Sequence, residues 1–276
     1  MIKSVAIQGI KGSFHHIVAL QYFDSSIQHI DECMTFDGAV QSVLTKKTDA
    51  VIMAIENSIA GSIIPNYALI DDNQLHIIGE HYLDIQHHLM ALPGQRIEDI
   101  HEVYSHPMAL LQCKQFFKQH PHIKLVEDKD TAEVAQRIQQ KQLKNVGAIA
   151  SQLAAELFEL EIVSESIQTI KQNETRFVIA VTTNSEAQEV QINKASLKFD
   201  VDHKRGSLAS VLNVMSDCRM NLTKIQSMPI IETPWKYAFF VDITFDAYKD
   251  YQKAKSIMEI MAQNFKVLGE YKNARQ

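Results

Sequence analysis

An α/β fold followed by a smaller ferredoxin-like module is the architecture this sequence predicts, and three observations predict it. Through roughly the first 180 residues, short apolar runs alternate with longer runs of helical spacing. Around TTNSEAQEVQINKA, residues 182–195, the apolar density drops as it does in a linker. Beyond that stretch the patterns follow the order βαββαβ.

In the first region, residues 5–8, 50–55, 102–104, 123–126, 146–150 and 177–181 read as strands. Between them, 14–23, 37–45, 108–119, 131–140 and 151–160 carry helical spacing. Such alternation predicts a mostly parallel sheet with helices packed on it. The region is longer than one average sheet requires, and 75–90 holds two apolar stretches with no helix between them, the pattern of a chain crossing from one lobe to another. In the second region, Leu197, Phe199 and Val201 alternate as a strand. Leu208, Val211, Leu212 and Met215 then mark one face of a helix opened by Gly206-Ser207. Strands follow at 221–231 and 237–245. Asp246 is placed to cap a helix with Tyr251, Ala254, Ile257, Met258 and Met261 on its apolar face, and 267–271 closes the set.

The 276 residues and 46% apolar content suffice for one large or two ordinary domains. No apolar run reaches the roughly 18 residues of a membrane span, and MIKSVAIQG lacks the apolar core of a secretory signal, so the expectation is a cytoplasmic protein with no membrane contact. A net charge of −6 without a Lys/Arg-rich block argues against a nucleic-acid partner. The three cysteines have no paired spacing, and the twelve histidines match no metal-ligand pattern, so neither a disulfide framework nor a metal is expected.

In open α/β sheets ligands sit beyond the carboxyl ends of the strands, near helix N-termini. Polar residues gather there: Gly9 to Ser13, Ser105-His106-Pro107, Asp130 to Glu133, and Ser151. Capping explains most of them. The run AVIMAIENSIAGSI is different, because Glu56 at the end of a buried strand requires either a partner or a job. In QNETRFVIAV, Asn173, Glu174, Thr175 and Arg176 stand at the entrance of another buried strand, with Thr175 and Arg176 pointing opposite ways. With Lys11, these groups suit a small polyanion bearing a hydroxyl, held between two lobes.

GIKGSFHH (9–16), IENSIAGSI (55–63), YSHPMALLQC (104–113) and NETRF (173–177) resemble, in order and spacing, the motifs of prephenate dehydratases. GSLASVL (206–212), KIQSMPI (224–230) and PWKYAFFVDI (234–243) resemble the phenylalanine-sensing ACT domain joined to those enzymes. The resemblance spans essentially the whole chain. It implies a catalytic region, 1–184, of two lobes like type II periplasmic binding proteins (about 1–78 with 162–184, and 79–161), and an ACT domain at 194–276. It implies a lyase without cofactor that converts prephenate to phenylpyruvate, carbon dioxide and water, assembled as a dimer or tetramer. Thr175 is then the catalytic hydrogen-bond donor to the departing oxygen. Asn57 and Glu56 accompany it, while Lys11, Ser13, Ser58, Ser105, Arg176 and Phe177 bind or flank the substrate.

The effector site implied is Gly206, Ser207, Leu208, Asn221, Leu222, Gln226, Ser227 and Pro229. Here the chain departs from the family: Gln226-Ser227-Met228-Pro229 replaces Glu-Ser-Arg-Pro, and Gly-Ser-Leu replaces Gly-Ala-Leu. Ile10 stands where the family has Pro, and His15 replaces a small polar residue. Two rival readings remain at this stage: an arogenate dehydratase, and a non-catalytic binding protein with a sensing module.

Overall fold

The computed structural model describes residues 2–182, 192–202, 204–230, 233 and 236–275. Most of the predicted linker, 183–191, lies outside the described residues, as do Ile231, Pro234 and Trp235 of the predicted strands and motifs. In chain order the elements are β1 (Ser4–Gln8), α1 (Phe14–Phe23), β2 (His29–Cys33), α2 (Phe36–Leu44), β3 (Ala50–Asn57), β4 (Gly61–Ser62), α3 (Ile64–Asp72), β5 (His76–Asp84) and β6 (His88–Ala91). Next come β7 (Glu102–Ser105), α4 (Pro107–Gln112), α5 (Lys114–Phe117), β8 (Lys124–Glu127), α6 (Thr131–Lys141), β9 (Val146–Ala150), α7 (Gln152–Leu157), β10 (Glu161–Ser164) and β11 (Glu174–Val181). The last six are β12 (Lys194–Asp200), α8 (Ser207–Asp217), β13 (Asn221–Pro229), β14 (Tyr237–Thr244), α9 (Tyr248–Met261) and β15 (Gln263–Tyr271).

The chain packs as two compact units, one formed by Met1–Gly61 with Tyr82–Phe177 and the other by Ser62–His81 with Val178–Gln276. The first unit contains part of one sheet and the whole of another. In one, β1 lies parallel between β2 and β3, and the order runs β11-β3-β1-β2. Strand β3 is buried through Ile55 on both faces, as a central parallel strand must be, which is why AVIMAI shows no alternation. The other sheet has the order β10-β6-β9-β7-β8, with β7 parallel to β8 and β9. Its two faces carry separate cores: Leu89 and Ile149 pack toward α4 and α5, while their neighbours Met90 and Ala148 pack toward α6 and α7.

The predicted helix 108–119 is broken at Cys113. Leu110, Cys113 and Phe117 still enter the same core on either side of the break, as their i, i+3, i+7 spacing implies. The two apolar stretches of 75–90 are β5 and β6, with no helix between them, as the pattern implies.

The second unit holds the βαββαβ module, with sheet order β13-β14-β12-β15 and antiparallel pairs throughout. Helices α8 and α9 cover one face over Leu197, Phe199, Val241 and Ile243. The module also takes in Ser62–His81, which the sequence reading assigns to the first lobe up to residue 78. Asp71 on α3 is held by Lys198 of β12 and by Lys266 of β15, and β5 joins β15 in parallel at Ile77 and Gly269. Asp246 is not the cap of α9. The cap position is Ala247, whose methyl side chain has nothing to offer a backbone N–H, while Phe245 stacks on Tyr251 of the first turns at 4.7 Å. No helix among the described residues is long and apolar enough to cross a membrane.

Candidate active site

The loop after β1 turns through Gly9 and Gly12, both at positive φ. A Cβ on Gly12 would lie 3.0 Å from the Ala154 backbone, so only glycine permits this approach of the first sheet's loop to α7. Ser151 binds the two together: its hydroxyl donates to the Gly12 carbonyl at 2.6 Å and accepts from Ala154 N at 3.1 Å, capping α7. Ser13 is likewise a cap, buried and accepting from His16 N. Asp130 caps α6 through Ala132 and Glu133, and burial pushes its carboxyl above the usual range. His106 caps α4 through Met108 N.

The ends of β3 and β11 assemble a polar cluster. Asn57 donates through Nδ2 to Thr175 Oγ1 at 2.9 Å and to Asn173 Oδ1 at 2.7 Å. Its Oδ1 accepts from the backbone N–H groups of Ile59 and Ala60 at 3.0 and 2.8 Å. Those N–H groups only donate, so the Asn57 amide has one possible orientation and Thr175 receives a proton from it. The Thr175 oxygen is therefore an acceptor on the Asn57 side, and its own proton is available to another group. Ser58 locks the strand ends from both sides: its N–H donates to the Glu174 carbonyl, and its hydroxyl accepts from Glu174 N. A pocket of about 800 Å³ opens beside them, with Ser58, Asn173 and Glu174 in its lining.

The predicted residues are only partly brought together. Thr175, Asn57 and Ser58 join, and Phe177 lies on the same strand face as Thr175, buried edge-on to His15 at 5.0 Å. Glu56 precedes Asn57 on β3 and projects from the opposite face; it is half-buried, not the buried carboxylate the sequence suggests. Arg176 is 3% exposed, on the face of β11 away from Thr175. Lys11 is exposed, with its backbone N–H on Glu32. Ser105 is fully buried, and its hydroxyl donates to the Ile149 carbonyl across the sheet at 2.7 Å.

Two further residues belong to the cluster: Asn173, read from the sequence only as a polar group at the strand entrance, and Gln112, given no role there. Asn173 is fully buried and donates through Nδ2 to Gln112 Oε1 at 2.9 Å, and Gln112 Oε1 also meets His87 Nε2 at 2.9 Å. Both lie inside motifs read from the sequence, NETRF and YSHPMALLQC, but spacing gives no sign that residues so far apart in the chain meet. Nearby, burial lowers the His15 imidazole to about 3. His16 is lowered first by burial, opposed by Glu32 and aided by Lys11, while its Nδ1 accepts from Gly12 N.

In the second unit, Gly206 takes φ 85° just before α8. Residues paired across neighbouring antiparallel strands share a face. Ser227 opposes Phe239 and Leu222 opposes Ile243, so both lie on the helix-covered face with Leu208. By strand alternation Pro229 shares that face, and Gln226, opposite Phe240, lies on the other. Asn221 is exposed at the start of β13.

The family model for prephenate dehydratase matches residues 5–185. An arogenate dehydratase/prephenate dehydratase from Arabidopsis thaliana is 33% identical over 277 residues, covering 97% of this chain and 72% of the relative. The structure of a prephenate dehydratase from Arthrobacter aurescens in complex with L-Phe superposes with a TM-score of 0.88 at 23% identity, covering 99% of this chain and 90% of that one. A structure described as a novel type of quorum quenching acylase gives 0.89 at 25% identity, covering 99% and 100%. The strand ends that carry Asn57 and Thr175 lie within the matched span, and the chain belongs to the prephenate dehydratase family.

Proposed function

We propose that the chain converts prephenate to phenylpyruvate, with Thr175 as the hydrogen-bond donor to the leaving oxygen. The bond from the ring to its carboxylate breaks with its electron pair entering the ring. The ring C–O bond breaks with its pair leaving as hydroxide, which takes up a proton from solvent to become water. Aromatisation drives both events. The protein has to hold a dianion and stabilise charge on one departing oxygen, which a fixed neutral donor does without transferring its own proton.

The observation that carries this reading is the bond from Asn57 to Thr175, which commits the threonine oxygen as acceptor and frees its proton. Incubating the purified chain with prephenate and following phenylpyruvate absorbance in alkali tests it. Absence of product would overturn it. Arogenate run in parallel tests the second reading, which the name of the Arabidopsis relative favours. An acylated amine in a third assay tests the activity named for the 25% identical structure.

The βαββαβ module is proposed as an ACT domain that takes L-phenylalanine beside Gly206, Ser207 and Leu208, against Leu222, Ser227 and Pro229. Gln226 on the opposite face serves the sheet and not the ligand. Calorimetry with millimolar L-phenylalanine tests this, and absence of heat would sink it. Self-association as a dimer or tetramer belongs to the same proposal, with light scattering as its check. So does a cytoplasmic location, with cell fractionation as its check.

A further inference from the structure

We propose that His87 is a positioning residue for Thr175: as the Nε2–H tautomer it closes the far end of a side-chain amide relay that fixes Thr175 as a donor. The inference rests on the dehydratase reading above. It follows from the one-way logic of the hydrogen bonds. Asn57 Oδ1 faces two backbone N–H groups, so its Nδ2 must face Asn173 and Thr175. Asn173 must then present Oδ1 to Asn57 and Nδ2 to Gln112. Gln112 must present Oε1, which has only lone pairs to offer, so the ring nitrogen 2.9 Å away on His87 has to carry the proton.

The rest of His87 suits a fixed donor. The residue is 3% exposed, its N–H donates to Gln168 Oε1 at 3.0 Å, and its carbonyl accepts from Ile167 N at 2.8 Å. Phe14 meets the ring edge-on at 5.6 Å. Burial lowers the imidazole to about 4, so near neutrality it holds a single proton. With that proton on Nε2, Nδ1 is bare, and among the described residues it has no partner. A buried imidazole that gives up one of its two hydrogen bonds incurs a cost, and the bond it keeps is the one directed at Gln112. The backbone N–H groups at one end and the imidazole at the other hold the relay taut, keeping the Asn57 amide on the Thr175 oxygen.

The test compares His87→Gln, whose Nε2 amide reaches the same place as the imidazole donor, with His87→Met, which fills the space and donates nothing. With prephenate, H87M should lower kcat by about 10- to 100-fold, less than the about 10²–10³ for losing the donor itself. KM should stay within about threefold, since ground-state binding is untouched. H87Q should recover most of the lost kcat. Wild-type kcat in H87M overturns the inference, as do equal losses in both variants alongside equal falls in melting temperature. Nitrogen-15 NMR of the wild-type ring needs no turnover: an Nε2–H tautomer supports the relay, and an Nδ1–H tautomer overturns it. A wild-type chain inactive on prephenate would instead refute the dehydratase reading, before any variant is compared.

Discussion

The Asn57 side-chain amide donates to the Thr175 hydroxyl oxygen at 2.9 Å, and the reverse arrangement is barred by the two backbone N–H groups on the other end of the same amide. Thr175→Ala should therefore keep the fold and lower turnover by about 10²–10³, the usual loss for one preorganised donor. Steady-state kinetics on the purified variant checks it.

Asn57→Asp makes a sharper version of the same prediction. A carboxylate oxygen would then face Thr175, which would donate its proton to the aspartate and not to the substrate. The expected loss is again about 10²–10³, and the T175A/N57D double variant should be scarcely worse than either alone, because both remove one interaction. Additive losses in a double-mutant cycle would contradict it.

Within the second unit, Lys194 and Glu80 form an ion pair at 2.8 Å with side chains 3% and 0% exposed. Lys194→Met would bury the Glu80 carboxylate without its ammonium, at a cost of about 3–5 kcal/mol. Replacing both, as in K194M/E80L, should restore much of that stability. Urea denaturation of the three chains decides the matter.

At Gly269, a Cβ would overlap the Ile77 carbonyl where β15 joins β5. Backbone cannot yield as a flexible side chain does, so Gly269→Ala should disrupt this pairing. Hydrogen exchange should show protection lost at 76–78 and near 269, with α1 unaffected.

Stability should fall in mild acid. Burial holds His15 at about 3 and His87 at about 4 when folded, against 6.5 for an imidazole in water. Above about pH 6.5 both states are neutral at these rings and the two groups add no pH dependence. Below it the unfolded chain binds protons that the folded chain refuses, so stability drops toward pH 4 by up to about 1.4 kcal/mol per pH unit for each ring. His15→Leu should flatten that slope, measured as urea midpoints between about pH 7.5 and pH 5.

Much of the fold was legible because burial leaves a period. The residues 14–23 and 146–150 were bounded correctly from apolar spacing. Strand β2, HIDEC, escaped because it is an edge strand, partly exposed along its length and too polar to alternate. Helix α3 escaped because its inward face carries Asn66 and Asp71 beside Tyr67 and Ile70, and the burial of Asp71 is compensated by Lys198 and Lys266, which are distant in the chain. In the cluster around Thr175, the strand ends could be read one at a time. The roles of Gln112, Asn173 and His87 could not, since donor and acceptor assignments exist only once three separate segments meet.

The bond from Ser58 N to the Glu174 carbonyl has a chemical consequence beyond architecture. An asparagine ages when the next residue's amide nitrogen attacks its side-chain carbonyl carbon, closing a succinimide that opens to aspartate. In the Asn57-Ser58 pair that nitrogen is engaged at 2.8 Å with Glu174, and the carbonyl it would attack is turned toward Ile59 and Ala60. Spontaneous deamidation at position 57 should be slow for as long as the chain remains folded.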